Sequence, residues 1–386
     1  MSSGDGQGRQ DPLEGDAVLD LLATIALVVT VPLALLFLGW AHHWYWRGRL
    51  APRCSPDEEH HLRTADGWRI GLRRYRPRGE GRRYAEPVIL CHGLGANHLN
   101  LDWDPPNGLA QYLAEQGRDC WVICLRGNAG SDRPTFFNEL RWGFSFDDYL
   151  EHDVPAAIEH VLAATGADQV QWVGHSMGGI LAYALGGTEW ERHLGGGVVT
   201  VASPVGFVNQ PYLRWISKLG VVLAGGSRIR QRVVTQMLAP FSGFFEPPYA
   251  DLIIASKSID AAMIRRLQGW VIEDISAGVM GQFNDWVQND AFRSLDRSQD
   301  YRERMGRYRV PAFLIAGSRD RMAPPEAVAA AFEWLGSPDK AMVTLGKEFG
   351  QETEYGHGDL LLGRDAPAEV YPRIAAWLDA HATEVA

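Results

Sequence analysis

Gly174-His175-Ser176-Met177-Gly178-Gly179 is the stretch from which the rest of the chain can be read. It follows Gln169-Val-Gln-Trp-Val-Gly174, a short apolar run, and precedes an apolar helical run over 177–187. A G-x-S-x-G element between a buried strand and a helix forms a tight turn that strains its serine and exposes the hydroxyl. The glycines relieve crowding there. The helix amino terminus favours negative charge developing beside the serine. Ser176 is therefore the candidate nucleophile.

Working outward, short apolar runs at 87–91, 119–125, 197–203, 312–317 and 341–345 alternate with helical segments near 107–116, 147–164, 177–187, 324–335 and 366–382. This rhythm predicts an α/β fold with a mostly parallel central sheet and helices on both faces. Residues 68–75 alternate and are predicted to form an edge strand. Core strands and helices fall in 56–204 and 310–386. Residues 205–309 break the rhythm and are predicted to form a helical cap or lid. That insertion carries Trp215, Met237, Phe241, Phe244, Phe245, Met263, Trp270, Met280, Phe283 and Trp286. As one surface over the active site they would suit a lipophilic substrate; otherwise they pack the insertion's own core.

A serine hydroxyl is a weak nucleophile and needs a base with an orienting acid. In this kind of turn the order along the chain is Ser, acid, His. Asp320 follows the run at 312–317, and His357 lies in Tyr355-Gly-His-Gly-Asp359 after the run at 341–345. His357 is expected to take the serine proton, with Asp320 fixing its tautomer. Asp359 follows the histidine, the wrong order for the acid. The backbone N–H of Met177 is one oxyanion donor. Leu94, in His92-Gly-Leu-Gly-Ala-Asn97, supplies the other, with Gly93 the next candidate. His92 and His175 are expected to be structural supports rather than bases. No cofactor motif or metal-ligand spacing occurs, and serine hydrolysis needs neither.

These residues carry a resemblance. The chain resembles the α/β-hydrolase fold and, within it, the acid-lipase and esterase branch. The matching pieces are His92-Gly-Leu94, the stretch from Pro106 to Gly117, Arg126-Gly-Asn128, Phe144-Ser-Phe-Asp-Asp148, Asp153-Val-Pro-Ala-Ala-Ile158, the Ser176 turn and Gly356-His-Gly-Asp359. The resemblance implies a serine hydrolase that cleaves carboxylic esters through an acyl-enzyme, with a lid from the inserted segment. An acyltransferase or thioesterase would use the same three residues, and a non-catalytic anchored scaffold is the reading from another class. A carboxylate nucleophile, as a dehalogenase requires, is absent from the turn.

The amino-terminal segment sets the location. The 386 residues carry a net charge of −10, which argues against a nucleic-acid partner. The distribution is uneven: 1–40 hold one Arg against five acids, 41–85 hold eleven Arg against five acids, and the remainder is −12. Between Leu21 and Trp40 there is no charge, and a helix of that length spans about 30 Å, the thickness of a bilayer core. Pro32 within it is tolerated in a membrane helix. Trp40, Trp44, Tyr45 and Trp46 suit the membrane interface. The acidic start and bulky end fit a cleaved signal peptide poorly, and so long an uncharged run is rare in a soluble core. The expectation is a 1–20 tail, a transmembrane helix over 21–40 and a basic linker over 41–55. The positive-inside rule then puts the body on the cytoplasmic side of the lipid bilayer. Cys54, Cys91, Cys120 and Cys124 are expected to be free thiols. Anchor and missing Asn-x-Ser/Thr sites together favour a membrane-proximal esterase over a lipase of bulk triglyceride.

Overall fold

In a computed structural model, residues 12–79, 83–207, 210–242, 244 and 259–385 are described, with side chains from residue 21 onward. Residues 1–11 of the expected tail, and Phe245, lie outside them. The described chain divides into two compact units, Met1–Leu50 and Ala51–Ala386.

The first unit is one helix, α1 (Pro12–Arg49), with Pro32 inside it. From Leu21 to Arg49 it is long and apolar enough to cross a membrane, with a mean hydropathy of 2.7 over its most apolar 18 residues. Residues 41–49, expected as linker, continue the helix instead. Nothing in Ala41–Trp46 breaks a helix; the stop comes at Ala51-Pro52, because proline disfavours helical backbone in the residue before it. Arg47 and Arg49 occupy the last turn, where cations complement the helix dipole.

The second unit is built on one eight-stranded sheet. Its strands are β1 (Glu58–Arg63), β2 (Arg69–Tyr75), β3 (Val88–Cys91), β4 (Cys120–Cys124), β5 (Gln171–His175), β6 (Val198–Val201), β7 (Ala312–Gly317) and β8 (Lys340–Leu345). They lie in the order β1-β2-β4-β3-β5-β6-β7-β8. β1 and β2 pair antiparallel, as do β2 and β4; every other pairing is parallel. Strands β3 to β6 are buried along their whole length, which explains their continuous apolar composition.

The expected edge strand at 68–75 is not the edge, because β1 lies outside it. β1 reads Glu-Glu-His-His-Leu-Arg and buries only Leu62, so it shows no apolar alternation. Cross-strand ion pairs hold it: Arg73 reaches Glu59 at 2.7 Å and Arg74 reaches Glu58 at 3.4 Å. A charged edge also discourages pairing with another chain.

Helices α2 (Leu109–Glu115), α3 (Val154–Thr165) and α4 (Met177–Ala184) connect the early strands. The inserted region folds as α5 (Pro211–Ala224), α6 (Arg232–Leu238), α7 (Ala261–Trp270) and α8 (Ala277–Asn289), with Arg228–Ile229 paired antiparallel to Ile275–Ser276. Helices α9 (Pro325–Trp334) and α10 (Tyr371–Ala380) complete the unit. The helix expected over 366–382 is split into Ala366–Glu369 and α10, with Pro372 in the first turn of the second piece.

The apolar residues of the insertion divide between the two expected fates. Trp286 and Phe283 pack against each other and against Phe146 of the core, with ring centroids 4.8–6.3 Å apart. Trp215, Phe241 and Phe244 are exposed.

The strand order brings two loops together. β3 lies between β4 and β5, so the connections from β3 and β5 diverge and leave a crevice at their carboxyl ends. Cys91 pairs in register with Gly174, so the loop at Gly93 and the turn at Ser176 emerge side by side. Trp172 ties the sheet to that turn: it is fully buried, and its indole N–H donates to the Gly178 carbonyl at 2.9 Å. Trp172→Ala removes both packing and hydrogen bond. It is expected to cost about 3–5 kcal/mol in urea unfolding of the detergent-solubilised chain.

Candidate active site

Ser176 joins β5 to α4 with φ +51° and ψ −118°. A side-chain-bearing residue rarely adopts that backbone, and strain of about 1–3 kcal/mol persists only where the surroundings over-determine it. They do so here. The Ser176 N–H donates to Val201 at 2.8 Å. A Cβ on Gly178 would collide with the Cys91 carbonyl and lie 2.9 Å from that of His92. A Cβ on Gly93 would come within 3.0 Å of the Ser176 Cβ, so the Gly93 backbone lies against the serine.

His357 and Asp320 come from the loops after β8 and β7. Backbone hydrogen bonds stitch these loops together: Ser318 N–H donates to Leu345 at 2.8 Å and Arg319 N–H to Tyr355 at 2.9 Å. His357 Nδ1 lies 2.8 Å from Asp320 Oδ2. The other Asp320 oxygen accepts from Met322 and Ala323 N–H at 2.8 and 2.7 Å. The carboxylate is thus buried and fixed on both sides. His357 Nε2 is left facing away from the acid. Among the described residues no hydrogen bond joins it to Ser176 Oγ, a contact that in unliganded sites often forms only with substrate. Asp359 accepts from Gly356 N–H at 2.8 Å, bracing the turn that carries the histidine.

His175 couples the serine turn to the histidine loop. Its Nε2–H donates to the His357 carbonyl at 3.0 Å, and the two rings lie 4.8 Å apart. His92 receives the Leu125 N–H at Nε2, at 3.3 Å, and donates through Nδ1 to the Gly93 carbonyl at 3.0 Å. Burial pushes both imidazoles down, His92 to about 4 and His175 to about 3, with the neighbouring His357 adding to the effect on His175. Both rings are therefore neutral struts. Met177 is buried and Leu94 half-buried. Among the described residues neither backbone N–H donates to a protein acceptor.

The sequence reading missed Glu273. It is buried in the insertion just before α8, and its N–H donates to the Gly95 carbonyl at 2.8 Å. Its carboxylate accepts from Asn97 Nδ2 at 2.8 Å, from Ala129 N–H at 3.2 Å and from Arg133 at 2.6 Å. Arg232 lies 3.4 Å away. One carboxylate thus joins the Gly93–Asn97 loop, the loop after β4 and the cap. No local pattern announces it, because its partners are spread from 97 to 232.

Among the described residues two clusters have ligand-like composition, Cys54/His98/Asp102 and Asp66/Asp148/His152. Each already holds an arginine: Arg73 lies 3.0 Å from Asp102, and Arg126 pairs with Asp66 and Asp148. The guanidinium supplies the charge a metal would, so neither cluster fits a metal. All four cysteines are free thiols, three of them buried.

Two outcomes are expected. Glu273→Ala takes a buried carboxylate away from the half-buried Arg133 and Arg232 and from the Asn97 amide, and is expected to cost about 1–3 kcal/mol in urea unfolding. The second concerns pH. The unfolded chain protonates His92 and His175 near 6.5, whereas the fold holds them neutral to about 4 and 3, so stability falls as pH drops below 6.5. Between pH 7 and pH 5 each contributes a loss of about 2 kcal/mol. Asp153, pushed by burial up to about 6, offsets part of this. His175→Gln keeps a donor for the His357 carbonyl and is expected to shrink the fall by about 2 kcal/mol in urea midpoints taken at the two pH values.

Comparison with known proteins agrees with the fold. The sequence profile of the alpha/beta hydrolase fold matches residues 86–361. Gastric triacylglycerol lipase from Homo sapiens is 26% identical over 361 residues, covering 84% of this chain and 88% of that protein. Lipase member K from Mus musculus is 27% identical over 359 residues, covering 82% and 86%. Among solved structures, a thermophilic esterase from Thermogutta terrifontis superposes with a TM-score of 0.57 at 16% identity, covering 84% of this chain and all of that one. The chain belongs to the α/β-hydrolase fold family, as a lipase- or esterase-type member.

Proposed function

We propose that this chain hydrolyses lipophilic carboxylic esters at a Ser176–His357–Asp320 triad, on a body anchored to a membrane by α1. The observation that carries the reading is the pairing of a strained, backbone-fixed serine with a histidine whose Nδ1 is held 2.8 Å from a buried carboxylate.

Ser176 Oγ attacks the ester carbonyl while His357 Nε2 takes its proton. The Nδ1–H bond to Asp320 fixes the tautomer that leaves Nε2 free to accept, and stabilises the imidazolium. The carbonyl oxygen, now negative, is received by the N–H groups of Met177 and Leu94. The imidazolium returns its proton to the departing alkoxide, leaving an acyl-enzyme. Water then repeats the sequence and releases the acid. Lipophilic esters are supported by the lipase relatives and by the apolar insertion beside the site.

Membrane anchoring is supported by the uninterrupted apolar surface of α1, whose side chains from Leu21 to Leu38 are exposed. The arginines at 47, 49 and 53 support a cytoplasmic body. Protease protection on sealed vesicles tests that side: digestion from the non-cytoplasmic face alone would overturn it.

Ser176→Ala is expected to abolish ester turnover and fluorophosphonate labelling while leaving the urea midpoint nearly unchanged. His357→Ala is expected to lower kcat by roughly 10⁴–10⁶-fold, and Asp320→Asn by roughly 10⁴-fold. An ester panel of graded acyl length, assayed on the solubilised full chain, reads all three. Near-normal turnover in His357→Ala would remove the assigned base.

A further inference from the structure

We propose that the outward face of cap segment 210–242 docks on an anionic lipid surface. Helix α5 carries two apolar stripes. Leu213, Ser217, Gly220 and Ala224 face inward and are buried, with Gly220 set against Met280 of α8. Tyr212, Trp215, Leu219 and Val222 form a second stripe at the same helical spacing and are 37–74% exposed. Val233 and Val234 on α6 extend the exposed apolar set. A soluble surface rarely leaves so many large apolar groups together in water.

The charge identifies the occupant. Residues 210–242 contain five basic residues and no acid, within a body whose net charge is strongly negative. Arg228 and Arg232 are spent on Asp274 and Glu273 inside the cap. Arg214, Lys218 and Arg230 are exposed and, among the described residues, carry no ion pair. Exposed aliphatic and aromatic groups flanked by unpaired cations are the pattern of a helix lying in a membrane interface. A net-negative body is repelled by an anionic bilayer, and an acid-free segment with exposed cations is a part of its surface that is not. The position also bears on the site: the Arg321 guanidinium, next to Asp320, lies 5.2 Å from the Tyr212 ring at the start of α5. The inference draws on the anchored reading above, because a tethered body meets the bilayer at high effective concentration.

The test places an environment-sensitive dye at position 222 through Val222→Cys, in the full chain reconstituted in nanodiscs. Native thiols interfere little: three are buried, and burial pushes the half-buried Cys54 up to about 11. Asp168→Cys, exposed just before β5 at the other end of the sheet, is the control, and Leu219→Cys replaces the first variant if it misfolds. In discs of phosphatidylcholine with phosphatidylglycerol, the dye at 222 is expected to shift to the blue and to be quenched by lipid-borne quenchers, with position 168 unaffected. Neutralising two free cations, Lys218→Gln with Arg230→Gln, is expected to lower the docked-to-undocked ratio about 25-fold at low salt. A dye at 222 as wet as at 168 overturns the proposal. So does shielding at 222 that persists without lipid and ignores the quencher, which would mean a protein covers the face. A chain that fails to enter nanodiscs removes the anchor reading instead, and the same dye with added vesicles then decides the docking.

Discussion

Ser176 is held at φ +51° by contacts from three strands, and the geometry of the site follows from that confinement. The β6 carbonyl of Val201 takes the serine N–H. The first turn of α4 must lie so close to the end of β3 that only glycine fits at 178, and the Trp172 indole fixes the carbonyl of that glycine. Short parallel strands make this possible: they end together, so three chain segments converge where one side chain is to be displayed. Loosening any of them would let the serine relax toward ordinary backbone, at a gain of about 1–3 kcal/mol. The packing around the turn must exceed that value, which is why the smallest residues and the largest indole of β5 occur within seven positions.

The same convergence explains what could be read from the sequence. Strands β3 to β7 announced themselves as short apolar runs because both of their faces are covered. β1 did not, because an edge strand stabilised by Arg–Glu pairs has the composition of a surface loop. The serine turn, Asp320 and His357 were legible through motif and order along the chain. The 2.8 Å approach of the last two required the stitched loops after β7 and β8. Glu273 was illegible, since a buried carboxylate is defined by partners brought together only in the fold. The end of α1 was misplaced because arginines suggested a linker where only Pro52 stops the helix. Ala202, a second strained residue at φ +52°, has no sequence signature at all.

Three histidines crowd the crevice, and their environments separate their tasks. His92 and His175 each use a ring hydrogen to hold a backbone carbonyl, and burial keeps them uncharged across the ordinary pH range. Only His357 has a carboxylate partner among these three. His357 is the proposed base, and the Asp320 carboxylate is placed to compensate an imidazolium formed there during turnover.

The cap meets the core in two different ways, and magnitudes indicate which part can move. Around residues 270–276, the Glu273 carboxylate and N–H hold the loop beside Ser176; stranding that buried charge would cost about 3–5 kcal/mol. An interfacial cation contributes about 1 kcal/mol near an anionic surface. Three such cations match but do not clearly exceed the clamp, so docking alone leaves the 270–276 stretch seated. Helices α5 and α6 are joined through Gly225 and Gly226, both at positive φ, and α5 meets α8 through one narrow stripe, Leu213 to Ala224, with hydrogen bonds from Arg214 and Ser217 to Gln288 and Asn284. A membrane pulling on Trp215 and Val222 would act on that stripe first. On the proposed reading, the membrane contact bears on α5 while the Gly93–Asn97 loop, with its oxyanion donor, stays clamped by Glu273.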